Sequence, residues 1–444
     1  MLRPFATALA TAALMFAGLM APTSASPHPG PSPKEERRPI VFVHGSSGSG
    51  SQFESQAQRY ASNGYPVSWI EAHEYDSTFA TNSLADVHAA LDARIDALRE
   101  RTGAEQVDVL AHSLGTYVLQ RYLTSSPERA AEVAHYVNLD GAPAAEPPGG
   151  VETLAIWGEN NAAGEITGAR NVHLDDQGHT ETVTSPESFT EAYTFFTDKA
   201  PRTTEVVRAS RRIDVSGRAV LFPRNVGVDG ATLEVHRVNA HTGRRIGRRP
   251  VATYQLSGDG SFGPFKASPT ASYEFALIWP GGPTHHFYRQ PFRRSNSLVR
   301  LLASVPGTGL DAATEKSDAH VNLTVNRNKE WWGDQGEAGD TLSIGGQNVL
   351  TPAVAPRKRR IIGMFAFDAG SDKVSATDAV LPAFASLPFI TGTDVYLPVS
   401  ERGTVRLVAK ARGERRPQMI NVPALPSSEH RISVQFDDFV PRLR

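Results

Sequence analysis

The chain has 444 residues, no cysteine, 40% hydrophobic residues and a formal net charge of −2. A chain of this length can bury the cores of several modules without disulfides, so the composition indicates a globular protein and excludes a disulfide-stapled scaffold. Basic motifs interleaved with aromatic residues are missing from the sequence, which argues against nucleic acid as a partner.

The first residues predict export. A basic start, Met1–Arg3, is followed by an apolar stretch that runs to Met20 and then by the small residues Thr23–Ala25. This order is typical of a secretory signal peptide cleaved near Ala25. We therefore expect a signal peptide at 1–25, a proline-rich linker at 26–38 and a secreted, extracellular protein without a transmembrane segment.

An apolar strand that ends in a Gly/Ser-rich loop comes next. Pro39–Val43 is apolar, and His44-Gly45 leads into Ser46–Gly50. Such a loop can offer backbone N–H groups to an oxyanion, with His44 holding the loop backbone. A flexible loop without function is the alternative.

A strand at Pro66–Ile70 and a helix at Ser83–Arg101 are predicted before the next motif. The apolar positions of this helix form a single stripe, which is typical of a helix that packs one face on a sheet. These positions are Leu84, Val87, Leu91, Ile95 and Leu98.

The run Ala111–Gly115, Ala-His-Ser-Leu-Gly, lies between an apolar strand pattern and a helix-compatible segment. A small-x-Ser-x-Gly run in this place is typical of the nucleophile elbow of α/β-hydrolases, a sharp turn that exposes the serine hydroxyl at the start of a helix. Ser113 is therefore the candidate nucleophile, and a structural serine is the alternative. In this fold the backbones of Ser46 and Leu114 would be the oxyanion donors. His112 is interpreted as a packing residue or as a residue that supports the catalytic side chains from behind.

Three further strands are predicted, and their ends suggest the acid. They are Ala134–Leu139, Thr153–Trp157 and Asn171–Leu174. Sites in open α/β sheets gather at the carboxyl ends of strands, and Asp140 follows the first of these three. The second leads to Glu159 and then to asparagines where many α/β-hydrolases carry an aspartate. We predict Asp140 as the acid and keep Glu159 as the alternative.

His179 is the candidate base. It follows the last of these strands and precedes a helix-like segment at Pro186–Phe196, which satisfies the chain order nucleophile, acid, base. His173 is interpreted as a sheet residue, and Asp175 and Asp176 as solvated loop charges. Because no His, Asp or Glu cluster has metal-ligand spacing, we expect neither a metal nor a cofactor.

Beyond Pro201 the pattern changes to short alternating strands with turn residues, which predicts β structure. A break near Pro306–Gly309 divides this part. The predicted domains are a catalytic domain at 39–200, a sandwich-like β module at 204–303 and a second β-rich module at 312–444. Trp331-Trp332 is interpreted as one ring in the core and one at an edge, with a lipid- or carbohydrate-binding platform as the alternative.

The charges are unevenly distributed along the chain. Residues 34–200 carry 11 Lys and Arg against 25 Asp and Glu, whereas residues 201–300 carry 16 against 6. The favoured interpretation is two parts that attract each other across an interface. The alternative is contact of the basic module with an anionic lipid surface, for which the arginine-rich run Arg244–Arg249 is the candidate.

Several motifs together resemble a family of secreted bacterial and archaeal lipases. They include the strand before Gly45, Leu139–Gly141, Thr184–Glu187 and, outside the catalytic domain, His286–Arg294. The resemblance is good over about residues 38 to 303 and weaker beyond. It implies an α/β-hydrolase fold with a mostly parallel sheet and helices on both faces, followed by β-rich modules, and hydrolysis of carboxylic esters of lipids.

Residue by residue, the resemblance implies Ser113 as nucleophile, Asp140 as acid, His179 as base, and Ser46 and Leu114 as oxyanion donors. One departure concerns the lid, a helical insertion that such lipases carry before the nucleophile. Here only one helix fits between Asp76 and the strand to Ser113. We therefore expect an ester hydrolase without a helical lid, with a peptidase or amidase, a polyester depolymerase or a vestigial surface-binding protein as alternatives.

Overall fold

The computed structural model describes residues 37–440. The predicted signal peptide at 1–25 and residues 26–36 of the predicted linker lie outside the described residues. Among the helices of residues 37–440, none is both long and apolar enough to cross a bilayer.

Residues 37–200 contain six strands and six α-helices. The strands are β1 (Ile40–Val43), β2 (Ile70–His73), β3 (Val107–His112), β4 (Val133–Leu139), β5 (Glu152–Gly158) and β6 (Arg170–Leu174). The helices are α1 (Glu54–Ser62), α2 (Leu84–Thr102), α3 (Leu114–Ser125), α4 (Pro127–Ala131), α5 (Glu181–Thr184) and α6 (Pro186–Thr197).

The six strands form one sheet in the order β2-β1-β3-β4-β5-β6, and every neighbouring pair is parallel. Two separate apolar clusters contain side chains from alternate positions of these strands, so both faces of the sheet are buried. Since parallel strands end at the same edge, the residues that follow β3, β4 and β6 are brought together there.

The second strand lies later than the sequence predicts. Pro66–Ile70 was expected to be a strand, but Val67–Trp69 forms a 3₁₀ turn and β2 begins at Ile70. The backbone N–H of Trp69 donates to the carbonyl of Pro66 over 3.0 Å, and this turn replaces the first strand residues. The proline, which presets the backbone for a turn, accounts for the difference.

Helix α2 has the single apolar stripe that its sequence predicts. Ser83 and Asp86 form a reciprocal capping box at its start, and Gly103 ends it in the left-handed conformation with φ 70°. The side chains of Val87, Leu91, Ile95 and Leu98 are buried in the core. Because this face is fixed against the sheet, α2 is a packing helix rather than a mobile cover.

From residue 213 to residue 440 the regular structure consists of β-strands and a few short 3₁₀ turns. Its first strands are β7 (Ile213–Leu221), β8 (Val226–Gly227), β9 (Thr232–Val238), β10 (Ala252–Gln255), β11 (Ser261–Ala267), β12 (Ser272–Ile278), β13 (Thr284–Arg289) and β14 (Asn296–Ala303). The later strands are β15 (Leu323–Trp331), β16 (Thr341–Ile344), β17 (Gln347–Asn348), β18 (Ile361–Phe367), β19 (Ile390–Asp394), β20 (Thr404–Lys410), β21 (Gln418–Pro423) and β22 (His430–Gln435).

The two predicted β modules share one sheet. Eight strands follow in the order β10-β9-β12-β13-β22-β15-β18-β19, and β13 pairs in parallel with β22 from Thr284 opposite His430 to Arg289 opposite Gln435. Each module adds a smaller sheet of its own, β11-β7-β14 with β8, and β17-β16-β20-β21. We call residues 213–303 the middle module and residues 309–440 the C-terminal module.

Ion pairs join the acidic and basic parts of the chain. Arg289 of the middle module lies 2.5 Å from Glu54, and Arg300 lies 2.5 Å from Glu74. Burial alone would raise the pKa of Glu74, but the charge of Arg300 and hydrogen bonds from Arg300 and Gly50 outweigh burial and lower it to about 2. The uneven charge distribution thus agrees with attraction across an interface.

Candidate active site

Ser113 lies in the strained turn that the elbow motif predicts. It joins β3 to α3 with φ 52° and ψ −124°, a conformation that residues other than glycine rarely adopt. The turn is held from one side by the N–H of Ser113, which donates to the carbonyl of Leu139 over 3.1 Å. A Cβ atom on Gly45 would lie 2.8 Å from Cβ of Ser113, and one on Gly115 would lie 2.5 Å from the carbonyl oxygens of Val43 and His44. Both glycines are therefore required by close approach.

Three of the predicted residues form one hydrogen-bonded chain. The Ser113 hydroxyl donates to Nε2 of His179 over 3.0 Å, and Nδ1–H of His179 donates to Oδ2 of Asp140 over 2.6 Å. This assignment of the imidazole proton follows from the carboxylate at Nδ1, which can only accept. A serine, a base and an acid at these distances can generate a nucleophile and store the resulting positive charge on the imidazole.

Asp140 is held as a carboxylate. Its Oδ1 accepts from the N–H of Gly158 over 2.9 Å and from Nδ2 of Asn161 over 2.8 Å. Burial alone would raise the pKa of Asp140, but the hydrogen bond and charge of His179, together with these two donors, outweigh burial and lower it to about 2. The asparagine that marks the usual position of the acid thus supports the acid on the neighbouring strand.

The alternative acid points elsewhere. Glu159 forms an ion pair with Arg357 of the C-terminal module rather than contacting His179. Asp175 and Asp176 are exposed, and His173 lies exposed on β6, as their sequence context predicts. Of the acidic candidates, Asp140 is the one that reaches the imidazole.

His112 supports the backbone of His179. Its Nε2–H donates to the carbonyl of His179 over 3.0 Å, and the hydroxyl of Thr182 donates to the same oxygen over 2.8 Å. Burial, followed by the charge of His179, lowers the pKa of His112 well below its usual value, so this ring is neutral. Of the two roles predicted for His112, this contact corresponds to support of the candidate base.

The loop after β1 forms a tight turn beside Ser113. Ser46 and Ser47 are its central residues, and the N–H of Gly48 donates back to the carbonyl of Gly45 over 3.1 Å. Leu114 begins α3, and the first N–H groups of a helix have no acceptor within the helix. Ser46 and Leu114 are thus placed on the two segments that the elbow geometry requires, and their donor role stays a prediction.

His44 and a residue of the middle module fix this loop. Nδ1–H of His44 donates to the carbonyl of Gly45 over 2.9 Å, while Nε2 accepts from Asn225 and Tyr75 over 3.2 and 3.3 Å. Burial lowers the pKa of His44, consistent with a neutral ring. Nδ2 of Asn225 also donates to the carbonyl of Gly48 over 2.7 Å. Asn225 lies far along the chain in an ordinary turn, so no sequence signal indicates this contact.

A cavity of about 110 Å³ lies beside the site, with a largely apolar surface and four charged lining residues, Asp311, Lys316, Arg327 and Arg431. Ser47 and Gly48 of the loop line it from the catalytic side. Phe389, whose ring centroid is 6.4 Å from that of His179, lines it as well. The other apolar lining residues belong to the two β modules: Phe222, Leu302, Leu310, Leu323, Ile362, Phe365, Phe367, Ile390 and Ile432. The residues that line this cavity are scattered along the chain, so the sequence alone could not predict it.

Within residues 37–440, no group of three or more His, Asp or Glu side chains is arranged to hold a metal ion. Ser113, His179 and Asp140 lie together at the carboxyl edge of the parallel sheet. The sheet topology confirms the predicted fold class, a mostly parallel sheet followed by β-rich sheets.

Family models match three successive segments of the chain. Residues 37–129 match a model described as Lipase (class 2), residues 211–306 match the Lipase C-terminal domain, and residues 309–440 match a further C-terminal domain model. These matches confirm the resemblance to a lipase with an α/β-hydrolase domain followed by C-terminal domains, and they support a lipolytic hydrolase.

Several solved structures are similar to this chain at low sequence identity and low TM-score. A Listeria innocua protein, the product of gene lin2722, is 15% identical with a TM-score of 0.29 over 38% of this chain and 97% of its own. An α/β hydrolase from a Moroccan lagoon metagenome is 20% identical with a TM-score of 0.29 over 36% and 90%. The phospholipase PlaB of Legionella pneumophila is 10% identical with a TM-score of 0.23 over 90% and 93%.

Proposed function

We propose that this protein is a secreted serine hydrolase that cleaves carboxylic esters of lipids. The observation that carries the proposal is the hydrogen-bonded chain from the Ser113 hydroxyl through His179 to Asp140. The lipase family match and the largely apolar cavity beside the oxyanion loop support an ester with an apolar acyl chain. Export rests on the signal peptide predicted at 1–25 and is part of the proposal.

In the proposed mechanism, the Ser113 oxygen attacks the ester carbonyl carbon while Nε2 of His179 takes the hydroxyl proton. The backbone N–H groups of Ser46 and Leu114 stabilise the oxyanion of the tetrahedral intermediate. The imidazolium then gives its proton to the leaving alcohol, and Asp140 stabilises the cation throughout. Water repeats the attack on the acyl-enzyme and releases the carboxylic acid and free Ser113.

Two exposed arginines of the run Arg244–Arg249 can contact lipid head groups, whereas two others bind within the protein. Arg244 donates to the carbonyls of Glu401 and Gly403, and Arg245 pairs with Glu274 at 2.8 Å, so these two are used within the protein. Arg248 and Arg249 are exposed. These two arginines are the ones that we propose for contact with an anionic lipid surface.

A series of p-nitrophenyl esters from short to long acyl chains, with a triolein emulsion beside it, tests the proposed function. We expect hydrolysis with smooth saturation and no jump in rate at the solubility limit. A lidded lipase shows such a jump because its cover opens at an interface, and here the helix between β2 and β3 is packed on the sheet. A jump would show that another segment moves as a cover, and no hydrolysis of any ester would overturn the function.

Gly363→Val provides a variant for the same series. Gly363 lies on β18 and lines the cavity, and a Cβ atom there would meet Oδ1 of Asn326 at 3.2 Å and the Ile390 side chain at 3.8 Å. Valine is well tolerated in strands, so the variant should fold. Its added side chain should narrow the cavity. The ratio of long-chain to short-chain kcat/KM is expected to fall by roughly tenfold or more. An unchanged ratio would place the acyl chain elsewhere.

The pH profile of kcat/KM is expected to rise with pH in a single one-proton step. The general base must be neutral to accept the serine proton, so activity is expected to fall as pH falls. The pKa of Asp140 is about 2, so this carboxylate stays ionised throughout that step and adds no second one. Measurements between about pH 4 and 9 would contradict this assignment if the acid limb had a slope of two.

A further inference from the structure

The loop that carries His179 is held by a carboxylate of the C-terminal module. Glu330, at the end of β15, is fully buried. Its Oε2 accepts from the hydroxyl of Thr180 over 2.6 Å and its Oε1 accepts from the Thr180 N–H over 3.3 Å. A Cβ atom on Gly178 would lie 1.8 Å from Oε1 of Glu330. Glu330 thus touches the residues on both sides of the candidate base.

The next residue of the loop is fixed by two cations from the same module. Lys329 lies 2.5 Å from Oε1 of Glu181, and Arg412 pairs with Oε2 of Glu181. Burial alone would raise the pKa of Glu181, but the charges of Lys329 and Arg412 outweigh it and lower it. Arg412 also donates to the backbone carbonyl of Glu330 over 2.8 Å. The two contacts to the loop are therefore connected to each other.

A stack around Trp332 extends this support to the loop of the acid. The Trp332 ring lies between two guanidinium groups, with Arg412 at 3.6 Å and Arg357 at 3.7 Å from its centroid. Arg357 pairs with Glu159, two residues before the asparagine that donates to Asp140. Trp332 is only 6% exposed, so the pair Trp331-Trp332 is not a surface platform, and neither ring lies at an exposed edge. Trp332 is buried because the guanidinium groups of Arg357 and Arg412 cover its ring.

We propose that Glu330 is a positioning residue for the reaction, and that through it the C-terminal module sets the orientation of His179 relative to Ser113. Glu330 does not touch the reacting atoms, and it acts through Thr180. Two acceptor oxygens are needed, because the hydroxyl and the N–H of Thr180 both donate to it. A small displacement of a catalytic base has a large effect on rate, because the Ser113–His179 hydrogen bond must be aligned for proton transfer. The proposal rests on the proposed function for the identity of the base.

Glu330→Gln tests the proposal because it keeps the shape but offers one acceptor where two are needed. We expect kcat per active site on a short p-nitrophenyl ester to fall about 10- to 100-fold with little change in KM. Active sites are counted by titration with a fluorophosphonate probe, so that loss of folded protein does not enter kcat. Thr180→Val should lower kcat in the same way, and Thr180→Ser, which keeps both donors, should restore it to near the wild-type value.

Glu274→Gln is the matched control. Glu274 is also a buried carboxylate, paired with Arg245 at 2.8 Å and His286 at 2.6 Å in the middle module. We expect it to lower the melting temperature without changing kcat per active site. Equal kcat values for Glu330→Gln and wild type would overturn the positioning role, and so would an equal loss in Glu274→Gln.

The rate at which the probe labels Ser113 separates this proposal from the proposed function. Labelling requires an aligned His179 but no ester turnover. Wild-type protein that is labelled but hydrolyses no ester would overturn the ester substrate alone, and slower labelling of Glu330→Gln would still support positioning. Equal labelling rates of the two proteins would overturn the positioning role, and absent labelling of the wild type would overturn both.

Discussion

Replacing Ser113 with alanine is expected to lower kcat on p-nitrophenyl esters by roughly 10⁶-fold. The hydroxyl is the group that His179 contacts at 3.0 Å, and no other nucleophile occupies the turn after β3. The residual rate should come from the oxyanion donors and from substrate binding. The Ser113 side chain does not belong to a hydrophobic core, so the melting temperature of the variant should remain close to that of the wild type.

Ser83→Ala is the matched control for this variant. Ser83 also precedes a helix, but its side chain caps α2 by accepting from the N–H of Asp86. Its loss should cost about 1 kcal/mol of stability and leave turnover unchanged. A fluorophosphonate probe should label wild type and Ser83→Ala but not Ser113→Ala. Activity of a tenth of wild type in Ser113→Ala would show that another residue is the nucleophile.

The second large effect is expected for Asp140→Asn, with a loss of about 10⁴ in kcat. The amide of asparagine can present its NH₂ to Nδ1 of His179, which favours the tautomer that carries its proton on Nε2. That proton would point at the Ser113 hydroxyl, and the imidazole could no longer accept from it. The folded state should persist, because Oδ1 can still accept from Gly158 and Asn161.

Glu159→Gln distinguishes the two acids that the sequence left open. Glu159 pairs with Arg357 and does not contact His179. Its loss should therefore reduce kcat far less than the loss of Asp140. Parallel steady-state measurements on one ester decide between them. Near-normal turnover by Asp140→Asn together with collapse of Glu159→Gln would reverse the assignment.

The sequence predicted the hydrogen-bonded chain because each member is tied to a strand end. The elbow motif identifies Ser113 by local sterics, and the chain order of the strands then leaves few places for the acid and the base. Asparagines at 160 and 161 made Asp140 the better candidate, and Asn161 proves to be its hydrogen-bond donor. Local patterns were sufficient to identify these three residues, because neighbouring parallel strands end at the same edge of the sheet and bring the residues that follow them close together.

The contacts that support this chain could not be predicted. Glu330 and Asn225 meet the catalytic loops across separations of more than a hundred residues, and neither has a local motif. Glu330 at the end of a strand resembles any other polar strand residue in the sequence. Alternation along a strand does not reveal its neighbours either, so the pairing of β13 with β22 across the break near Pro306–Gly309 could not be predicted.

The position of β22 in the sheet determines when the β modules can complete their folding. β22 lies between β13 and β15 in the middle of the eight-stranded sheet, yet it is the last strand of the described chain. On a nascent chain, β13 is complete at residue 289 and β15 at residue 331, whereas the strand that joins them begins only at residue 430. Pairings of such long range are slow to form and leave strand edges exposed meanwhile. Since β15 also carries Glu330, the hydrolase site would acquire its support only after residue 435 has emerged.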